Sequence, residues 1–162
     1  MTTDKPRTPE DFMRRAIALS RERMRTGDGG PFAAIIVRDG GILAEGWNQV
    51  TSHNDPTAHA EIVAIRRACD AIDGISLEGA EIYATCEPCP MCMAAIYWAR
   101  ISRLYYANTT EDAEAIGFDD GAIYREIALA PEHRTMPAER LLGDEALEVF
   151  REWEAWPGKQ RY

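Results

Sequence analysis

The sequence has no uninterrupted apolar run approaching the ~20 residues that a membrane span needs, although apolar residues make up 46% of it. Its opening, MTTDKPRTPEDFMRR, carries no apolar signal core, so the expected compartment is the cytoplasm. Positive charge is in deficit: 18 Lys and Arg against 27 Asp and Glu leave a net charge of −9. A surface of that sign repels phosphate backbones. The nearest approaches to a basic patch, Arg14-Arg15, the trio Arg21, Arg23 and Arg25, and Arg66-Arg67, are interleaved with acids or lie in helical segments. They read as solvated helix faces, so neither nucleic acid nor membrane is an expected partner. Internal repeats and low-complexity linkers are missing as well. The 162 residues therefore read as a single domain, long enough to bury a core without covalent staples, with a C-terminal helix and tail over about residues 141–162.

The elements alternate. Thr8 before Pro9-Glu10-Asp11 reads as a helix start, with a hydroxyl cap, proline at the first position and acids in the first turn. Phe12, Met13, Ala16, Ile17 and Met24 then share a helical face, and Thr26-Gly27 ends the run. Phe32 to Arg38 reads as a strand, turned by Asp39-Gly40-Gly41 into an antiparallel partner, ILAEGWN. Asn48 to Pro56 is polar loop. From about Ala58, Ile62, Ile65, Cys69 and Ile72 recur at helical spacing. Glu81 to Thr85 is a strand, Pro90 to about Arg100 a helix, and Arg103 to Ala107 another strand. Ala146, Val149, Phe150 and Trp153 mark a last amphipathic helix. The order α-β-β-α-β-α-β-α predicts an α/β fold, a mixed central sheet between helices in a three-layer α/β/α sandwich.

Cysteine and histidine are scarce, at four and three, yet three of the cysteines crowd into Cys86-Glu87-Pro88-Cys89-Pro90-Met91-Cys92. A reducing compartment disfavours a lasting disulfide. A ferredoxin-type cluster wants a fourth cysteine shortly afterwards, and Met93 to Ile101 supplies none. Cys69 falls on a helical apolar stripe, as a buried inert thiol would. Zinc needs a nitrogen or oxygen ligand besides sulfur, and His59 opens a helix in Thr57-Ala58-His59-Ala60-Glu61. His-x-Glu followed by Pro-Cys-x-x-Cys is the compound pattern of zinc deaminases. Two helix starts aim His59, Cys89 and Cys92 at one point, where the helix dipoles favour thiolates. Cys86, stiffened by Pro88, is expected to border this site rather than close it, which leaves the fourth position of a zinc tetrahedron to water. Glu61 at the same helix start then has a use that a structural zinc knot would not give it, exchanging protons with that water.

Beyond that compound pattern, His59-Ala60-Glu61 with Cys86 to Cys92 resembles the cytidine deaminase superfamily. The longer strings GGPFAAIIV, NDPTAHAE, CEPCPMCMAAIYWAR and EAIGFDD, with the terminal Arg161-Tyr162, are similar to its bacterial guanine deaminases. The resemblance implies a cytidine deaminase-like fold, one zinc ion per subunit on His59, Cys89 and Cys92, and Glu61 as the main proton shuttle. It implies that Asn48 hydrogen-bonds a purine base, that Phe32 and Trp98 wall the pocket, and that Asp120 is a second acid. It also implies a homodimer in which the tail is swapped and Tyr162 closes the pocket. Each assignment has a plainer reading: Phe32 as core, Asn48 as a turn residue, Asp119 and Asp120 as caps of a helix near Gly121, Tyr162 as a frayed end. Trp98 lies six positions past Cys92, about 120° around the helix, and reaches a pocket only if the substrate lies beside that helix. His53 and His133 read as surface residues.

The implied reaction is hydrolysis of guanine to xanthine and ammonia. Deamination of guanosine, cytosine or aminotriazines, or of adenosine in tRNA, uses the same zinc motif, and a zinc-stabilised interaction module without turnover is the alternative from another class.

Overall fold

Helix α1 (Pro9–Thr26) starts where Thr8-Pro9 places it, in a capping box. The Thr8 hydroxyl accepts from the Asp11 N–H, and the Asp11 carboxylate accepts from the Thr8 N–H. The computed structural model describes residues 7–162, so the first six residues of the opening stretch read above for a signal core lie outside the described residues. The described chain falls into two compact units, one ending at Tyr124 and the other running from Arg125 to Tyr162.

In the first unit, β1 (Ala33–Arg38) turns through Asp39 and Gly40 into β2 (Gly41–Trp47). A short helix α2 (Val50–His53), in the stretch expected to be plain loop, precedes α3 (Ala60–Ile72). Then come β3 (Glu81–Cys86), α4 (Pro90–Trp98), β4 (Arg103–Asn108), α5 (Thr110–Ala115) and α6 (Asp120–Ala128), the last running across the unit boundary. The sheet order is β2-β1-β3-β4, with β1 antiparallel to both neighbours and β3 parallel to β4. Parallel pairing needs a crossover, and α4 supplies it. The second unit holds a 3₁₀ turn (Pro131–His133) and α7 (Gly143–Ala155).

Strand β1 is buried on both faces, so its residues sort by alternation. Ala33, Ile35 and Val37 pack with Phe12, Ala16, Leu19 and Tyr83 on the α1 side. Ala34 and Ile36 pack with Ala44, Ile82, Ile96 and the alanines of α3 on the other. Helices thus cover both faces of a mixed sheet, as the alternation of elements predicts.

The faces of two helices differ from the expected ones. In α3 the side chains against the sheet are Ala60, Ala64 and Ala68, while Ile62, Ile65, Cys69 and Ile72 are half-buried flanks. In α1, Leu19 is buried and Ile17 and Met24 are exposed. For α3 the cause is close approach. A Cβ on Gly46 of β2 would collide with the Ala60 carbonyl and the Ala64 amide, and would stand 2.8 Å from the Ala64 methyl. Only glycine against alanine lets helix and strand meet this tightly. Gly46→Ala is therefore expected to destabilise by about 3 kcal/mol, near the top of the overpacking range, and to lower the thermal midpoint by roughly 6–12 °C. Gly41→Ala, whose added methyl meets only ordinary contact, is the control that should change little in the same unfolding experiment.

Candidate metal centre and active site

Two helix N-termini in the first unit meet at a point. His59 is the N-cap of α3 and Cys89 the N-cap of α4, both with extended backbone and neither capping through its side chain. Cys92 sits one turn into α4, which starts at Pro90 because proline needs no N–H partner at a first position. His59 Nδ1 is 3.5 Å from Cys89 Sγ and 3.6 Å from Cys92 Sγ, and the three ligand atoms lie within 4.8 Å of one another. Nitrogen and sulfur donors on a zinc tetrahedron, with Zn–S ~2.3 Å and Zn–N ~2.05 Å, stand ~3.6 Å apart, so the spacing fits that ion.

The electrostatics fit a cation too. The Cys89 thiol is drawn down to about 4, first by the Cys92 thiol donating to it and then by the His59 imidazole, against its burial. Cys92 is pushed up, chiefly by that same hydrogen bond. A bound cation would favour the thiolate form of both sulfurs. His59 is raised, chiefly by its hydrogen bond to Cys89.

Cys86 ends β3 and stands outside this cluster. Its Sγ donates to the Thr109 carbonyl at 3.6 Å, and burial pushes its thiol up to about 11. A neutral thiol tied to a carbonyl borders the site without completing it.

Glu61 is two positions after His59, where an ideal helix would turn it away. Because His59 is the extended cap rather than a helical residue, both side chains reach past the same helix end. Glu61 is 8% exposed, and its Oε2 lies 3.4 Å from Cys92 Sγ. Burial pushes its carboxyl above the usual range.

A cavity of about 290 Å³ opens onto His59, Glu61 and Cys89, at the low end of the ~300–1,000 Å³ of small-molecule sites. Asn48, Phe32 and Asp120 line it, as do Cys86, Glu87 and Phe118. Asn48 is buried, and its Oδ1 accepts from the N–H groups of Gly30 and Val50, both at 3.2 Å. With the carbonyl end so occupied, the amide presents its N–H₂ donors to a ligand. Gly29 lets the loop lie this close, since a Cβ there would stand 2.6 Å from Asn48 Oδ1. Phe32 and Phe118 meet edge to face at 4.8 Å. Asp120 is the first residue of α6, half-buried, and raised by burial and then by the negative charge of Cys89. The Asp119 carboxylate caps α6 by accepting from Ala122 N at 3.0 Å.

Trp98 does not line this cavity. It is 64% exposed on the outer face of α4, beside Tyr97 and Arg100, as its 120° offset from Cys92 allows. Tyr162 is exposed in the second unit. Phe118 and Glu87 are lining residues that spacing alone does not reveal. Phe118 stood in the GFDD string without a role, and Glu87 sat unused between two cysteines.

Replacing His59 by Ala is expected to reduce bound zinc from about one per chain to near none, because two sulfurs alone do not hold a tetrahedral ion. Cys86→Ser should retain the full complement. Metal analysis of the two purified variants decides both.

The cytidine and deoxycytidylate deaminase zinc-binding region matches residues 6–108. The chain is 48% identical over 153 residues to the guanine deaminase of Bacillus subtilis (strain 168), covering 94% of this chain and 98% of that protein. It is 53% identical over 76 residues to a tRNA-specific adenosine deaminase of Agrobacterium fabrum, covering 47% of this chain and 50% of the other. A crystal structure of guanine deaminase from Bacillus subtilis superposes with a TM-score of 0.94 at 47% identity, covering 96% of this chain and 99% of that one. With three zinc-spaced ligands at two helix starts and a buried carboxylate beside them, the chain belongs to the cytidine and deoxycytidylate deaminase family of zinc-binding proteins.

Proposed function

We propose that this protein hydrolyses guanine to xanthine and ammonia. The observation that carries the reading is the reach of the likeness to guanine deaminase: it covers 94% of the chain, well past the zinc motif, whereas the likenesses to tRNA-specific adenosine deaminases cover 47% to 68%. The cavity supports it, being small, walled on one side by two phenyl rings suited to a flat heterocycle, and lined by one amide and three carboxyls. A net charge of −9 also disfavours a polynucleotide substrate.

His59, Cys89 and Cys92 would hold the zinc ion. When bound, zinc acts as a Lewis acid that lowers the pKa of water toward ~7. In this reading Phe32 and Phe118 together form an apolar wall against the base, and the Asn48 N–H₂ group donates to a ring acceptor or carbonyl. Glu61 accepts a proton from the attacking water as its oxygen bonds to C2, and passes that proton to a ring nitrogen. Asp120 delivers a proton to the exocyclic amine. As the C2–N bond breaks and ammonia leaves, the C2 hydroxyl becomes the carbonyl of xanthine and returns its proton to the Asp120 carboxylate.

In the same reading the protein works in the cytoplasm, in purine catabolism, as a homodimer. No helix among the described residues is long and apolar enough to cross a membrane. The case for a dimer is unburied apolar surface: Tyr97 and Trp98 on α4 of the first unit, and Phe150, 72% exposed, with Trp156 in the second. Residues of about 141–162, swapped between subunits, would bring Tyr162 to a partner's pocket.

Ammonia release is to be measured on guanine, guanosine, adenine, adenosine, cytosine, cytidine and aminotriazines, with and without a chelator, and on a tRNA anticodon stem-loop. Guanine should lead and chelation should abolish turnover; preferential deamination of the stem-loop would replace this reading by the tRNA one. Glu61→Ala should keep its zinc and lose roughly 10²–10⁴-fold in kcat, and full activity in that variant would end the mechanism. Asn48→Asp keeps an acceptor for Gly30 and Val50 but removes the donors. It should fold normally yet lose roughly 100-fold in kcat/KM for guanine, about 2.7 kcal/mol.

A further inference from the structure

Helix α6 brings Asp120 to the cavity although none of its nine residues is buried. A helix so lightly packed needs a specific tether to hold its rotation, since burial does not set it. Asp119 fixes where the helix begins, through the bond from Ala122 N, but a cap at the axis leaves the helix able to turn about it. The tether lies one turn further on. The Tyr124 hydroxyl donates to the Pro88 carbonyl at 2.9 Å. Tyr124 is four positions after Asp120 and therefore on the same helix face. Pro88 is fully buried in the turn between Cys86 and Cys89, and that turn is itself anchored: Glu87 Oε2 accepts from the Thr110 hydroxyl at 3.0 Å. One hydrogen bond thus joins the helix bearing Asp120 to the turn bearing the sulfur ligands.

We propose that Tyr124 is a positioning residue: its bond to the Pro88 carbonyl sets the rotation of α6 and thereby the placement of the Asp120 carboxyl over the cavity. The inference rests on the role given to Asp120 in the proposed reaction. Tyr124 is absent from the cavity lining, so it acts through Asp120. Burial, followed by the surrounding negative charges, raises its pKa, which keeps the hydroxyl a donor over the working pH range.

The test is a double-mutant cycle on the zinc-loaded protein with guanine as substrate, comparing wild type, Tyr124→Phe, Asp120→Asn and the double variant. The phenylalanine keeps the ring and removes only the hydroxyl. Tyr124→Phe is expected to lower kcat/KM roughly 10- to 100-fold with zinc content and thermal midpoint close to wild type. In the Asp120→Asn background it should change nothing further. Where turnover of the Asp120→Asn pair is too slow to follow, calorimetric binding of guanine closes the cycle. Wild-type kinetics in Tyr124→Phe, or an equal loss in both backgrounds, overturns the inference while leaving the role of Asp120 standing. Loss of zinc or of folding in Tyr124→Phe also overturns it, assigning the tyrosine to stability. Wild-type activity in Asp120→Asn removes the reading of Asp120 and the inference with it.

Discussion

Three donor atoms from two helix starts have to meet within a few ångströms, and most of the first unit is arranged around that meeting. The Nδ1 of His59 and the sulfurs of Cys89 and Cys92 converge because α3 and α4 lie on the same face of the sheet and point their N-termini together. The arrangement gathers partial positive charge from two helix ends around thiolates that need it. It also requires α3 to sit lower on the sheet than a helix of leucines would. Gly46 beneath Ala60 and Ala64 makes that depth available. The packing of a glycine in β2 therefore bears directly on ligand placement at the other end of the motif.

The carboxyls at the site are separated by environment rather than by type. Glu61 is buried against Cys92 at the floor, where desolvation above all, and then the charge of Cys89, raises it. Asp120 stands half-buried on a helix with little packing of its own, raised by partial desolvation and by the thiolate. A deep rigid group suits proton exchange with a water in fixed position, and a group on a lightly packed helix suits contact with a substrate that must enter and leave. Asn48 follows a third logic. Backbone N–H groups occupy its oxygen, so the orientation of its donors is settled before any ligand arrives.

Much of the apolar surface that remains lies away from the cavity. The outer face of α4 carries Tyr97 and Trp98, and α7 in the second unit carries Phe150 and Trp153. α4 is apolar all round, so its outer face is apolar too, whereas α7 is amphipathic and carries its apolar residues along one stripe.

The clustering of His59, Cys89 and Cys92, with Glu61 beside them and Cys86 outside, was legible in the sequence because it depends on short-range facts: a cap, a proline at a first helical position, a spacing of three. The strands were legible because burial on both faces forces continuous apolar runs such as AAIIV. The α3 face was not, since bulk marks apolar stripes in a sequence and this interface admits only methyl groups. Nor were Trp98's outward direction, the lining by Phe118 and Glu87, or the bond from Tyr124 to Pro88. Each of these depends on where a distant segment lies, 36 residues away for Tyr124 and Pro88. Residue types and their spacing are enough to say which atoms can bind a metal. Which side chains face one another across the cavity follows instead from helix depth and rotation on the sheet, and no local pattern encodes either.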